Sequence, residues 1–181
     1  MSAGVLSGRV WKFGDNINTD LMLPGDVHMA TEEVQARRVF SANRPGWVDQ
    51  MTPGDIIVGG KNYGTGSSRP ASRSLRNIGI ACVIAESVNS LFFRNCVNFG
   101  LLALECPGVS DLFTEEGQIC EISLADFRLR NKATGKSLKA QAVPENLLKL
   151  MRGGGIYPVL EKDGFIAPMK AKQAEAASHG H

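Results

Sequence analysis

The sequence predicts an α/β fold in which a mixed sheet is flanked by helices. Two observations carry that expectation. Residues 55–106 spell strand, helix, strand, helix, strand, the order of parallel strands joined by crossover helices. From Gln118 the character changes to alternating runs on either side of "NKATGK", which reads as an antiparallel hairpin. A length of 181 residues suits a single domain. We place it at 1–167, followed by a small, polar C-terminal tail at 168–181.

The elements follow in order. "GRVWKF" at residues 8–13 alternates as a strand does, and "GDNINTD" follows it as a polar turn. "TEEVQARRVF" reads as a helix capped by Thr31, with Glu32 and Glu33 suited to the positive end of its dipole. "SANRPGWVDQMTPGD" holds two prolines and two glycines and reads as loop. "IIVGG" is a short apolar strand. A helix is expected over residues 69–77 and closed by Gly79. "IACVIAES" and "LLALEC" are buried strands, separated by a helix with Asn89 or Ser90 as cap and Gly100 as stop. "PENLLKLMRGGG" is a short helix with Pro144 near its first turn. No internal repeat is visible.

Composition narrows the class. Hydrophobic residues make up 43% and charged residues 21%, ordinary for a globular chain. A net charge of +2 gives no reason to expect nucleic acid or an anionic membrane as partner. No apolar run approaches the roughly 18 residues that span a bilayer. "MSAGVLSGRVWKFG" lacks a basic region followed by an apolar stretch, so a secretory signal is not expected. Cys82, Cys96, Cys106 and Cys120 are widely spaced in apolar segments, with no CxxC pair. They read as buried thiols in a reducing compartment, the cytoplasm, and not as a disulfide frame or a metal site.

The chemistry-bearing stretch is "GGKNYGTGSSRPASRSLRNIG", residues 59–79. Glycines between a strand and a helix let a ligand approach the main chain. The first amides of a helix lack internal partners and point outward. Ser67 and Ser68 add hydroxyls, and Arg69 adds a forked cation matched to carboxylate or phosphate. A plain tight turn with a serine cap is the competing reading. Gly-x-Gly alone would not decide between them, but Gly-x-Gly-Ser-Ser-Arg directly before a helix favours the anion site. Three familiar loops do not fit. No lysine follows Gly66, as a Walker loop requires. Arg69 stands where a dinucleotide fingerprint needs its third glycine. Gly-x-Ser-x-Gly is absent, and His28 is the one histidine outside the tail, so a serine–histidine triad is poorly supported.

"GRVWKFGDNINTDLMLP", "GGKNYGTGSSR" and "GIACVIAESVNSLFFRNCVNFGLLALE" occur in that order. Together they resemble the small subunit of 3-isopropylmalate dehydratase, the detached swivel domain of the aconitase superfamily. The resemblance covers about Gly8 to Glu105 and implies a β/β/α swivelling domain. It implies a hydro-lyase that removes water from a hydroxy-diacid and adds it back, converting 2-isopropylmalate to 3-isopropylmalate through isopropylmaleate in leucine biosynthesis. A four-iron four-sulfur cluster is expected on a separate large subunit, with no cofactor or metal on this chain. The partner would form a heterodimer or heterotetramer with it. By the motif, Ser67 is the base that takes the carbon-bound proton. Ser68 and Arg69 bind a substrate carboxylate, beside Gly66 and Thr65.

The family's usual loop reads Gly-Cys-Gly-Ser-Ser-Arg-Glu-His. Here Thr65 replaces the cysteine, and Pro70 and Ala71 replace the Glu-His pair. Two further readings therefore stay open: a sister enzyme acting on dimethylmalate, citramalate or a homoaconitate-type acid, and a non-catalytic anion-binding module. Asp15 and Asp20 flank the "NINT" turn. Asp20 and Thr19 fit a role in orienting the serine loop equally as well as simple Asx-turn chemistry. Residues 21–29 lie where the family selects its substrate, which points to Leu23, Pro24, Val27 and His28. Core packing is the favoured alternative for Leu21 and Leu23, and an exposed loop position for His28. Lys61 and Asn62 precede the loop and can support it. Arg73 and Arg76 extend the anion site or, preferentially, form a solvated basic face with Arg94. Asn95 and Asn98 lie on a helix that is most simply core, with a partner contact as the alternative.

Overall fold

Strand β1 (Val5–Lys12) joins two kinds of sheet. Along one edge it pairs in parallel with β2 (Ile56–Gly59), Val10 opposite Ile56. Along the other it pairs antiparallel with β5 (Ile119–Ser123), Gly8 opposite Cys120. The computed structural model describes residues 4–66 and 69–168. Beyond β2 the sheet continues in parallel through β3 (Cys82–Ala85) and β4 (Leu102–Glu105). Beyond β5 it continues antiparallel through β6 (Arg128–Asn131) and β7 (Ser137–Lys139). The result is a seven-stranded mixed sheet in the order β4-β3-β2-β1-β5-β6-β7. Every residue of β2 and β3 is buried, as continuous apolar strands covered on both faces require.

Short helices fill the connections. The N-terminal half holds α1 (Thr19–Met22), α2 (Glu32–Arg37) and α3 (Trp47–Gln50). The crossovers hold α4 (Ala71–Asn77) and α5 (Ser90–Phe99), and α6 (Val109–Leu112) follows β4. The chain closes with α7 (Glu145–Arg152) and α8 (Ile156–Lys162). Helix α5 packs against α4, α7 and α8, and α2 packs against α4. The cap of α5 is Asn89, whose side chain accepts the Leu91 amide at 3.0 Å. Gly100 ends α5 in the left-handed region at φ 73°, open to glycine without a Cβ penalty.

Five differences from the sequence expectation have physical reasons. Helix α2 stops at Arg37 because Phe40 turns inward at φ 57° and stacks on Phe13 with ring centroids 4.1 Å apart. The stretch taken as loop contains α3, which brings Trp47 edge-on to Phe13, Phe40 and Trp11. Helix α4 starts at Ala71 rather than residue 69, with Pro70 at its cap position. The single hairpin is a three-strand meander, because the chain also reverses at Asp126–Phe127, where Phe127 has φ 57°. Helix α8 has no counterpart in the sequence reading. Its Pro158 looks like a breaker but sits in the first turn, where no amide is needed.

One polar group sits under this core. Asp55 is 4% exposed and precedes β2. Its Oδ2 accepts from Arg9 Nη2 at 2.7 Å, Trp11 Nε1 at 2.7 Å and the Thr52 amide at 2.9 Å. Burial alone would push the carboxyl up. The hydrogen bonds from Arg9, Thr52 and Trp11 outweigh it and hold the carboxyl below its ordinary value.

Asp55→Ala strands a buried indole N–H and a backbone amide. It should lower the unfolding free energy by about 2–4 kcal/mol in urea titrations at neutral pH. Because the folded carboxyl is the stronger acid, its contribution is complete above the ordinary carboxylate value. It fades as pH falls through the lower folded value. The gap between wild type and variant should therefore narrow below about pH 4.

Candidate functional site

Gly59, Ala85 and Glu105 lie side by side, so the three parallel strands end together. The carboxyl edge of a parallel sheet is where the connecting loops converge and ligands commonly bind. The glycine loop leaves β2 at this edge. It is laced on both sides by main-chain hydrogen bonds. On one side lies the turn after β1. The amide of Asn16 donates to the Lys61 carbonyl at 2.7 Å, Gly64 to Ile17 at 2.7 Å, and Thr19 to Thr65 at 2.8 Å. Asp15 Oδ1 accepts the Lys61 amide at 2.7 Å, and Asn62 Nδ2 donates to Asn16 Oδ1 at 3.0 Å. On the other side Tyr63 donates to the Ser87 carbonyl at 3.0 Å and accepts from Asn89 at 2.8 Å. Ser87 Oγ accepts the Asn62 amide at 2.9 Å.

This lacing brings Thr19, Asp20, Asn62, Thr65, Gly66 and Arg69 to one edge. Gly66 has φ 96°, and a Cβ there would stand 2.7 Å from Thr19 Oγ1. The Thr19 hydroxyl is buried and finds no partner among the described residues. Ser67 and Ser68, the expected base and carboxylate ligand, lie outside the described residues. Their neighbour Arg69 is held by two contacts. Its Nε sits 2.8 Å from Asp20 Oδ1, and its Nη1 donates to the Leu23 carbonyl at 3.0 Å.

The expected substrate-selecting segment divides. Leu23 and Val27 are buried in the core, Pro24 is half-buried, and His28 and Met29 are exposed. Arg73 belongs to neither of its expected settings. It pairs with Glu32 Oε1 at 3.1 Å and Gln35 Oε1 at 3.1 Å, bracing α4 against α2. Arg76 and Arg94 are exposed, as is Asn98, while Asn95 is half-buried. A cleft of about 370 Å³ between the starts of α5 and α7, which Arg94 helps to line, includes none of the expected site residues.

Sequence reasoning passed over Ser87, Asn16 and Glu86. Glu86 holds the start of α6, accepting the amides of Gly108 at 2.6 Å and Ser110 at 2.8 Å. Burial would raise its carboxyl, but these two amides outweigh it and keep it below its ordinary value. Nothing in the residue types marks the Leu23 carbonyl or the amides of the lacing, since every residue carries the same groups.

The described residues include no group of three or more His, Cys, Asp or Glu able to hold a metal ion. All four thiols are free and buried. Burial pushes Cys106 up to about 11 and Cys120 to about 12, and holds Cys82 and Cys96 well above the ordinary thiol value. Such thiols are poor metal ligands and poor nucleophiles. What the edge does offer is a fixed guanidinium beside a main-chain loop, suited to a carboxylate.

Residues 15–108 match the aconitase C-terminal domain family. The isopropylmalate/citramalate isomerase small subunit of Methanocaldococcus jannaschii is 43% identical over 160 residues, covering 87% of this chain and 95% of that protein. The methanogen homoaconitase small subunit of Methanothermobacter thermautotrophicus is 34% identical, covering 84% and 89%. The crystal structure of 3-isopropylmalate dehydratase from Methanocaldococcus jannaschii superposes with a TM-score of 0.81 at 28% identity, covering 94% of this chain and 99% of that one.

Gly66→Ala forces a Cβ into the left-handed region and against Thr19. It should cost about 1–3 kcal/mol of stability in thermal or urea unfolding, with the amide signals of Thr19 and Thr65 displaced. In the folded chain at pH 8, a thiol reagent should modify none of the four cysteines on the timescale of a free thiol. All four should react in denaturant.

Proposed function

Because the chain belongs to the aconitase C-terminal domain family, we propose that it is the small subunit of a heteromeric hydro-lyase, with 2- and 3-isopropylmalate as substrates in leucine biosynthesis. The observation that carries this reading is the laced glycine loop followed by Arg69, whose guanidinium is fixed by Asp20 and the Leu23 carbonyl. It works as one unit over residues 1–167, in the cytoplasm, with a cluster-binding large subunit. The cluster is assigned to that partner. There it would supply Lewis acidity to the substrate hydroxyl and one carboxylate.

This chain's part is to bind a carboxylate and move a proton. Arg69 receives a substrate carboxylate on donors that Asp20 and Leu23 leave free, with Ser68 beside it. Ser67 Oγ takes the proton from the substrate carbon as the neighbouring carbon loses its hydroxyl, giving the alkene. Return of that proton to the carbon that lost the hydroxyl, with hydroxide adding to the carbon that lost the proton, gives the isomer. A serine hydroxyl is a very weak acid in water. Its anion needs loop amides and a nearby guanidinium to be accessible, and the loop and Arg69 supply those groups. The exposed His28 and Met29 sit where an alkyl group would be judged. Relatives named for citramalate and homoaconitase keep a sister acid as the second reading, with the same chemistry.

The test is co-expression with the large subunit, anaerobic purification, and alkene absorbance with 2- and 3-isopropylmalate, citramalate, dimethylmalate and homocitrate. Turnover of isopropylmalate is expected, and Ser67→Ala should lower kcat by about 10³-fold or more without loss of the complex. Preference for another acid would move the pathway and keep the mechanism. Undiminished turnover by the variant would remove Ser67 from the mechanism. No turnover of any acid with the cluster intact would leave a carboxylate-binding module.

A further inference from the structure

Arg69 does more than neighbour the loop. It is the point where the carboxylate-reading group and the substrate-selecting segment touch. Asp20, at the start of α1, holds Nε at 2.8 Å. Leu23, where α1 ends, accepts from Nη1 at 3.0 Å through its carbonyl. Gly25 completes the surround: a Cβ there would stand 3.1 Å from Nη1 and 3.2 Å from Nη2. A guanidinium has five donors in a rigid plane, so two fixed partners set the direction of the rest. Asp20 is largely exposed, whereas Arg69 is mostly covered. The aspartate's value here therefore lies in orientation more than in stability.

We propose that Asp20 is a positioning residue for Arg69, and that the Leu23 carbonyl and the bare Cα of Gly25 tie the orientation of that guanidinium to the shape of the substrate-selecting segment. The proposal rests on the functional reading above for its substrate. A change that moves residues 21–29 then turns Arg69. A change that frees Arg69 loosens the segment, so carboxylate binding and side-chain selection are set together. The packing of Leu23 in the core transmits the link, because its carbonyl cannot shift without its buried side chain.

Two readouts test it. The first uses the isolated full chain, labelled at arginine, and follows the Arg69 Nε–H signal. Asp20→Ala should abolish its protection from solvent exchange, and Asp20→Asn, which keeps an oxygen acceptor, should restore part of it. The second uses the complex with its large subunit. Asp20→Ala should raise KM for isopropylmalate by about tenfold or more with a smaller change in kcat. Gly25→Ala should change the ratio of kcat/KM for isopropylmalate and citramalate, and shift the Arg69 signal. An unchanged signal and KM in Asp20→Ala would overturn the positioning role. An unchanged ratio and signal in Gly25→Ala would overturn the tie to the segment. Should Asp20→Ala fail to fold, Asp20→Asn carries the test of positioning, an unchanged Arg69 signal and KM overturning it, and Gly25→Ala still tests the tie. If the wild-type complex turns over none of these acids, the functional reading fails, while the signal in the free chain still decides the clamp.

Discussion

The arrangement depends on β1 pairing in opposite senses along its two edges. A strand paired on one edge in parallel and on the other antiparallel has no freedom of register, since a one-residue slip would turn Val10 out of the core. Its end is therefore fixed relative to the end of β2. That fixes the turn after β1 beside the glycine loop after β2, and the lacing between them follows. Asp55 reinforces the same junction from below by joining Arg9 and Trp11 on β1 to the residue that leads into β2.

Family membership adds meaning to this geometry without replacing it. Half of an active site can be rigid and still inert, because a donor-rich edge does nothing to a carbon–hydrogen bond by itself. On the proposed reading, this chain contributes a preorganised anion reader whose main-chain donors cost little to align when a second surface closes over it. The proposed division of labour puts the electrophile on one polypeptide and the proton acceptor on the other.

Much of this was legible in the residues. The alternation of buried apolar runs with capped helices over 55–106 marks the parallel half, because periodicity and caps are local signals. Asn89 and Gly100 announced α5 for the same reason. The Gly-Ser-Ser-Arg stretch pointed to the loop that leaves β2 at the carboxyl edge of the parallel strands. Less visible was anything decided by tertiary packing. Phe40 ends α2 early to reach Phe13, and no local rule foretells a ring finding its partner across the chain. Arg73 looked like a free cation on a helix face, yet Glu32 and Gln35 lie 41 and 38 positions away in sequence and claim it. The hold of Leu23 on Arg69 is a carbonyl contact and carries no residue signature.

The strap across the glycine loop also bears on how such proteins change over time. Most of its bonds run between peptide groups, and Thr65 enters through its carbonyl alone. The threonine side chain has no hydrogen-bonding duty among the described residues. Position is thus stored in the backbone, and side-chain identity is left open to drift. A lineage can rewrite the letters of this loop without first dismantling the frame that holds it.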